Sequence, residues 1–180
     1  MELENRLIIG GDKLTLFIDS ETIKSSVNAL ANQIRNDLQG EVPMFVCVLK
    51  GSFVFAADLI RAYKDNCEIT FIRLTSYEGT QSSGKIKTMM ELTDNIAGRS
   101  VVIVEDIIDS GLTMKQLLSQ MNHFQPKQVK VASLFIKPSN LKCQVQIDYH
   151  CFEIPDRFIV GYGLDYNGLY RNLPNIYTRE

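Results

Sequence analysis

Glu105, Asp106 and Asp109, followed by Ser110, Gly111 and Thr113, put three carboxylates next to a loop of small residues. Adjacent acids offer hard oxygen atoms to ribose hydroxyls or to a cation such as Mg²⁺, usually through water. Asp109, Ser110, Gly111 and Thr113 suit a turn that opens a helix and aims free backbone N–H groups at an anion. Such a segment can hold a sugar phosphate. Asp109-Ser110-Gly111 taken alone fits an ordinary cap and turn equally well, so the case rests on the whole run.

The elements around this run must position it. Val101 to Val104 are apolar and mostly β-branched with no polar alternation, which predicts a strand covered on both faces, as in parallel sheets. The carboxylates then sit at its carboxyl end, where open α/β sheets bind ligands. Met114, Leu117, Leu118 and Met121 follow at helical spacing and predict a helix packed on the sheet. After Asp19-Ser20, the steps Ile23, Val27, Leu30, Ile34, Leu38 predict a first helix ended by Gly40. Residues 42–49, 67–74 and 128–136 read as strands and 52–63 as a helix. The alternation points to an α/β fold with a mainly parallel central sheet and crossover helices. Residues 147–151 and 158–160 look like short strands, and Leu7 to Phe17 has no obvious partner in that sheet. A single domain over 1–180 is expected, with a core of about 20–145 and a small hood from about 1–18 and 146–180.

Composition narrows the function. The chain has 180 residues, 45% hydrophobic and 22% charged, with net charge −2, which fits one globular core. A pI near 5.7 argues against a protein-wide nucleic-acid footprint. The opening residues Met1 to Arg6 lack the pattern of a signal peptide, and no apolar run approaches a membrane span. A cytoplasmic protein without nucleic-acid or membrane partners is therefore expected. Cys47, Cys67, Cys143 and Cys151 form no Cys-x-x-Cys pair and read as reduced thiols.

The full run Val101 to Thr113 resembles the 5-phosphoribosyl-1-pyrophosphate signature of the type I phosphoribosyltransferases, in its hypoxanthine-guanine form. Other segments agree in order, so the resemblance spans about Val42 to Arg171. It implies that fold, and the transfer of a phosphoribosyl group to N9 of hypoxanthine or guanine with loss of pyrophosphate. By resemblance, Asp109 is the general base, Glu105 and Asp106 hold the ribose hydroxyls, and Ser110, Gly111, Leu112 and Thr113 cradle the 5-phosphate. Lys50 and Gly51, at the end of a strand, match the pyrophosphate loop, where the peptide before the lysine is cis in some relatives. Ser76 and Tyr77 match a loop that closes over the reaction, although a polar Gly-bearing stretch such as 76–84 also suits a plain hairpin.

The same resemblance assigns base recognition to the C-terminal third. Lys137 precedes Pro138 and is held extended; its ammonium only donates, which suits a 6-oxo group and disfavours a 6-amino group. Generically a lysine there is a surface side chain. In Phe152 to Tyr166, Phe158 matches the residue that stacks on the base, and the Ile159 main chain faces its polar edge. Asp165 matches a magnesium-pyrophosphate ligand, joined by Glu105 and Asp106 as metal candidates, and Arg171 a cation on the pyrophosphate. Asn167-Gly168-Leu169-Tyr170 departs from the family's acidic-aromatic pattern between them. Mg²⁺ is the implied cofactor and a homo-oligomer the implied assembly. A competing expectation is a non-catalytic, nucleotide-sensing RNA-binding regulator on the same fold; a receiver domain lacks its acid pair here.

Overall fold

The computed structural model describes residues 6–9, 12–77, 87–90, 92 and 94–179. Its centre is a six-stranded sheet ordered β5-β4-β3-β6-β7-β8. The strands are β3 (Met44–Leu49), β4 (Glu68–Tyr77), β5 (Lys87–Met90), β6 (Ser100–Ile108), β7 (Gln128–Ile136) and β8 (Tyr149–Glu153). Five run parallel, and β5 joins the β4 edge antiparallel. The central strands β3 and β6 are covered on both faces, because Met44 to Val48 and Val101 to Val104 are apolar at every position and all buried. Phe45, Cys47, Val102 and Val104 pack towards α1 (Ser20–Asp37) and α2 (Phe53–Tyr63). Their neighbours Met44, Val46, Val101 and Ile103 pack on the other side with Met114, Leu117 and Met121 of α3 (Leu112–Asn122). This two-step alternation between two cores is what a doubly covered strand requires.

The helices begin where their side chains allow. Asp19 caps α1 by accepting from the Thr22 N–H at 2.8 Å; of the spaced apolar set, Ile23, Val27, Leu30 and Ile34 are buried on α1 together with Ala31, and Leu38, also buried, is its C-cap. Gly40 takes φ +80° in the turn that follows. Ser52, ahead of α2, donates to Val48 O at 2.6 Å and is fully buried. It ties the helix start to the end of β3.

Above the loops lies a second sheet, ordered β1-β2-β10-β9 and antiparallel throughout. It joins β1 (Arg6–Ile9) and β2 (Asp12–Ile18) to β9 (Ile159–Val160) and β10 (Ile176–Arg179). This is the hood. Two placements differ from the sequence reading. Tyr149–Glu153 pairs with β7 in the main sheet, so the hood does not begin at about residue 146. As an edge strand with one partner, β8 carries only one fully buried side chain, Tyr149, and its sequence shows little of the apolar run of a central strand. Residues 176–179, read as no element, form the strand that β2 lacked. The four cysteines are free.

Candidate active site

Strand register brings the chemistry together. The pairing Ile108↔Ile136 between β6 and β7 puts Asp109 and Lys137, the next residue of each strand, side by side. Lys137 is not a surface lysine: it is 7% exposed. Its Nζ lies 2.9 Å from Asp156 Oδ1 and 3.4 Å from Asp109 Oδ2. Burying an ammonium is tolerated only when opposite charges and hydrogen bonds replace its water, and two carboxylates do so here. The Lys137 hydrogen bond holds the Asp156 carboxyl below its usual range. Asn140 closes the 3₁₀ turn Pro138–Asn140, and its Nδ2 donates to Asp109 Oδ1 at 3.0 Å.

Beside this cluster a cavity of about 120 Å³ is lined by Glu105, Asp109, Ser110, Gly111, Thr113 and Met114, among others. Gly111 enters α3 at φ +75°, and a Cβ there would fall 3.0 Å from Val145 Cγ1, so glycine shapes the turn. Gly111 has no side chain to cap α3; Ser110 Oγ accepts from the Leu112 N–H at 3.4 Å, and the N–H groups that follow in the first turn are left for the cavity. Leu112, the first helical residue, turns its side chain outward. The Glu105 carboxyl is enclosed next to Asp106; burial, then the Asp106 charge, pushes its pKa well up. Removing that charge with Glu105→Gln is expected to raise the thermal midpoint of the ligand-free protein at neutral pH. An unchanged or lower midpoint in calorimetry would refute a cost of enclosing this carboxyl beside Asp106.

Across the cleft the Leu49–Lys50 peptide is cis. Gly51 lies against Asp106: a Cβ would fall 1.5 Å from Asp106 Oδ2. Gly163, at φ +98°, lies in turn against Gly51, with its own missing Cβ 2.2 Å from Gly51 O. Arg171 Nη1 donates to Gly163 O at 2.6 Å, and its Nη2 pairs with Asp165 Oδ1. Asp165 Oδ2 accepts from Gly168 N–H at 2.7 Å. Asn167 (φ 52°) and Gly168 (φ 82°) both take positive φ between the bridged residues Tyr166 and Leu169, so the departure from the family pattern forms a tight hairpin turn. The turn leaves Asp165 and Arg171 together.

Phe158 is 36% exposed, edge-on to Tyr166 at 5.6 Å, with the Arg179 guanidinium 5.2 Å from its ring centre. The Ile159 side chain is buried in β9 and paired across to Thr178, leaving only its main chain for the cleft. Ser76 and Tyr77 end β4, opposite Thr88 and Lys87. The rest of the expected closing loop, 78–84, lies outside the described residues.

Among the described residues no three His, Cys, Asp or Glu side chains converge as a metal group. Asp165 and the Glu105–Asp106 pair therefore do not build a protein cage. Oxygen donors in ones and twos fit Mg²⁺, which is usually held by one or two carboxylates plus substrate phosphates. A larger cavity of about 610 Å³ between α1, α2 and residues 172–174 contains none of the β6 loop. Sequence reading assigned no role to Asn140 or Asp156. Neither lies on a strand: the 3₁₀ turn after Lys137 brings Asn140 to Asp109, and the loop after β8 brings Asp156 to Lys137.

A profile of the phosphoribosyl transferase domain matches residues 18–167. The hypoxanthine-guanine phosphoribosyltransferase of Streptococcus thermophilus is 40% identical over 162 residues, 89% of this chain and 90% of that protein. That of Aquifex aeolicus is 40% identical over 174 residues, covering 96% of this chain and 98% of the relative. A crystal structure of a hypoxanthine-guanine phosphoribosyltransferase from Bacillus anthracis superposes with TM-score 0.85 at 45% identity, covering 92% of this chain and 96% of that one. The mainly parallel sheet, its flanking helices and these matches over most of the chain make the protein a member of the hypoxanthine-guanine phosphoribosyltransferase family.

Proposed function

We propose that this protein transfers the phosphoribosyl group from 5-phosphoribosyl-1-pyrophosphate to N9 of hypoxanthine or guanine, giving the nucleoside monophosphate and pyrophosphate. The observation that carries the reading is one buried ammonium, Lys137, held between Asp109 and Asp156 next to the small cavity at the start of α3. Lys137 donates to the 6-oxo oxygen of the base. Asp109 accepts the proton that leaves the purine's five-membered ring as N9 attacks the anomeric carbon. Phe158 stacks on the base and the Ile159 main chain faces its edge.

The bond to pyrophosphate loosens early and leaves an oxocarbenium-like sugar, so leaving-group charge must be met in place. Lys50, with Gly51 allowing close backbone approach, and Arg171 bind the pyrophosphate. A planar guanidinium grips phosphate oxygens with paired hydrogen bonds. Glu105 and Asp106 hold the ribose hydroxyls, and Ser110, Gly111, Leu112 and Thr113 take the 5-phosphate with loop and helix N–H groups. Ser76 and Tyr77 belong to the segment that keeps water from the sugar cation. Mg²⁺, with Asp165, Glu105 and Asp106 as its oxygen ligands, supplies charge neutralisation on the leaving pyrophosphate when bound. The proposal includes a cytoplasmic homo-oligomer. It includes no nucleic-acid or membrane partner, supported by the net charge of −2 and by the lack, among the described residues, of a helix long and apolar enough to cross a membrane. Nothing in the site favours the RNA-binding reading.

The test is pyrophosphate release with Mg²⁺ and the phosphoribosyl donor, offering hypoxanthine, guanine, adenine, uracil and orotate separately. Turnover with the 6-oxopurines alone is expected; no turnover with any base would overturn the proposal. Lys137→Met, close in length but without the donor, is expected to lower kcat/KM for hypoxanthine roughly 10- to 100-fold, the worth of a hydrogen bond from a charged group. Equal activity of this variant on hypoxanthine would remove Lys137 from base recognition.

A further inference from the structure

Asn140 was absent from every motif, yet its amide sits on the carboxylate at the centre of the site. An ionised carboxylate only accepts, so the group Asn140 turns towards Asp109 is its NH₂. The two oxygens of Asp109 meet different donors: Oδ1 takes the Asn140 amide at 3.0 Å, and Oδ2 faces Lys137 Nζ at 3.4 Å. Lys137 lies nearer to Asp156, at 2.9 Å. The Asp109 side chain is 53% exposed, so packing does not fix its rotamer. The Asn140 main chain is fixed, because its N–H donates to Lys137 O at 3.0 Å inside the 3₁₀ turn. The Asn140 side chain also contributes to holding Asp156 in the charged form.

We propose that Asn140 is a positioning residue for phosphoribosyl transfer, holding the Asp109 carboxylate in one orientation while Lys137 turns to the purine. The proposal rests on Asp109 as the base. Once the 6-oxo oxygen competes for the ammonium, the Asn140 amide is the contact that keeps Asp109 from rotating. A base that samples several rotamers meets the ring proton in a smaller fraction of encounters, which slows the chemical step without touching donor binding.

The experiment is a four-corner cycle of Asn140→Ala and Asp109→Asn, read as single-turnover rate and as affinity for phosphoribosyl pyrophosphate. Asn140→Asp is added as an isosteric change that removes the donor. Asn140→Ala is expected to slow single turnover roughly 3- to 10-fold, less than the full worth of a hydrogen bond to a charged group because Asp109 still reaches the productive rotamer part of the time, with donor affinity and thermal midpoint unchanged. Asn140→Asp should be at least as slow. In the Asp109→Asn background Asn140→Ala should have no further effect, because residues that act through one another are not additive. A wild-type rate in Asn140→Ala, an equal slowing in both backgrounds, or a loss confined to donor affinity would each overturn the proposal. Asp109→Asn at wild-type speed would instead remove the base on which it rests, a result separable from failure of Asn140 alone.

Discussion

Asp109→Asn is expected to slow single-turnover phosphoribosyl transfer roughly 10²–10⁴-fold while leaving phosphoribosyl pyrophosphate binding intact. The substitution keeps size and shape, and Lys137 keeps Asp156 at 2.9 Å as its counter-charge, so the buried ammonium is not stranded. The new amide must also sort its ends. Its oxygen can go on accepting from Asn140 Nδ2, where Asp109 Oδ1 accepts at 3.0 Å, which turns its NH₂ towards Lys137 in the place of Oδ2, now 3.4 Å away. Two donors then face each other, and neither can take a proton from the purine. Rapid-quench kinetics with equilibrium donor binding separates the two parts. An unchanged chemical rate would refute the base, and a large loss of donor affinity would move Asp109 to the sugar-phosphate side.

Gly163→Ala is expected to cost at least about 2 kcal/mol of stability and to impair pyrophosphate-donor use. At φ +98° any side chain is strained, and here the added Cβ would fall 2.2 Å from the carbonyl oxygen of Gly51, which is backbone and cannot rotate away. Gly168→Ala is the natural control. It has φ +82° but open space around the missing Cβ, so it should lose only the backbone part, about 1 kcal/mol. Denaturant midpoints measure the difference. If the two variants lose the same stability, the Gly51–Gly163 approach is not tight, and the link between the Lys50 loop and the Asp165–Arg171 segment fails with it.

The chemistry of β6 was legible because it is local: strand, acids and turn lie in one run, and hydrophobic patterning alone places their order in space. The Lys137 environment was not. A lysine scores as a surface residue until two carboxylates from elsewhere in the chain replace its water, and only strand register brings Asp109 to it. Asn140 and Asp156 were invisible because the 3₁₀ turn and the loop after β8 bring them there. The hood was foreseen as a place but not as a pairing, since β2 finds β10 across most of the chain and no short-range period records that match. Tyr149–Glu153 was misplaced because an edge strand needs less apolar surface than a central one.

The order of strands in the hood sets a timetable for a growing chain. β10 lies between β2 and β9 and is the partner of both. The parallel sheet from β3 to β8, with the loop into α3, lies between β2 and β10 in the chain and can assemble before β10 has emerged. Strand β2, made far earlier, waits with an open edge until residues 176–179 have been synthesised. The hood side of the cleft is therefore finished last, and β2, already paired with β1 on one edge, is among the last strands to have its other edge covered.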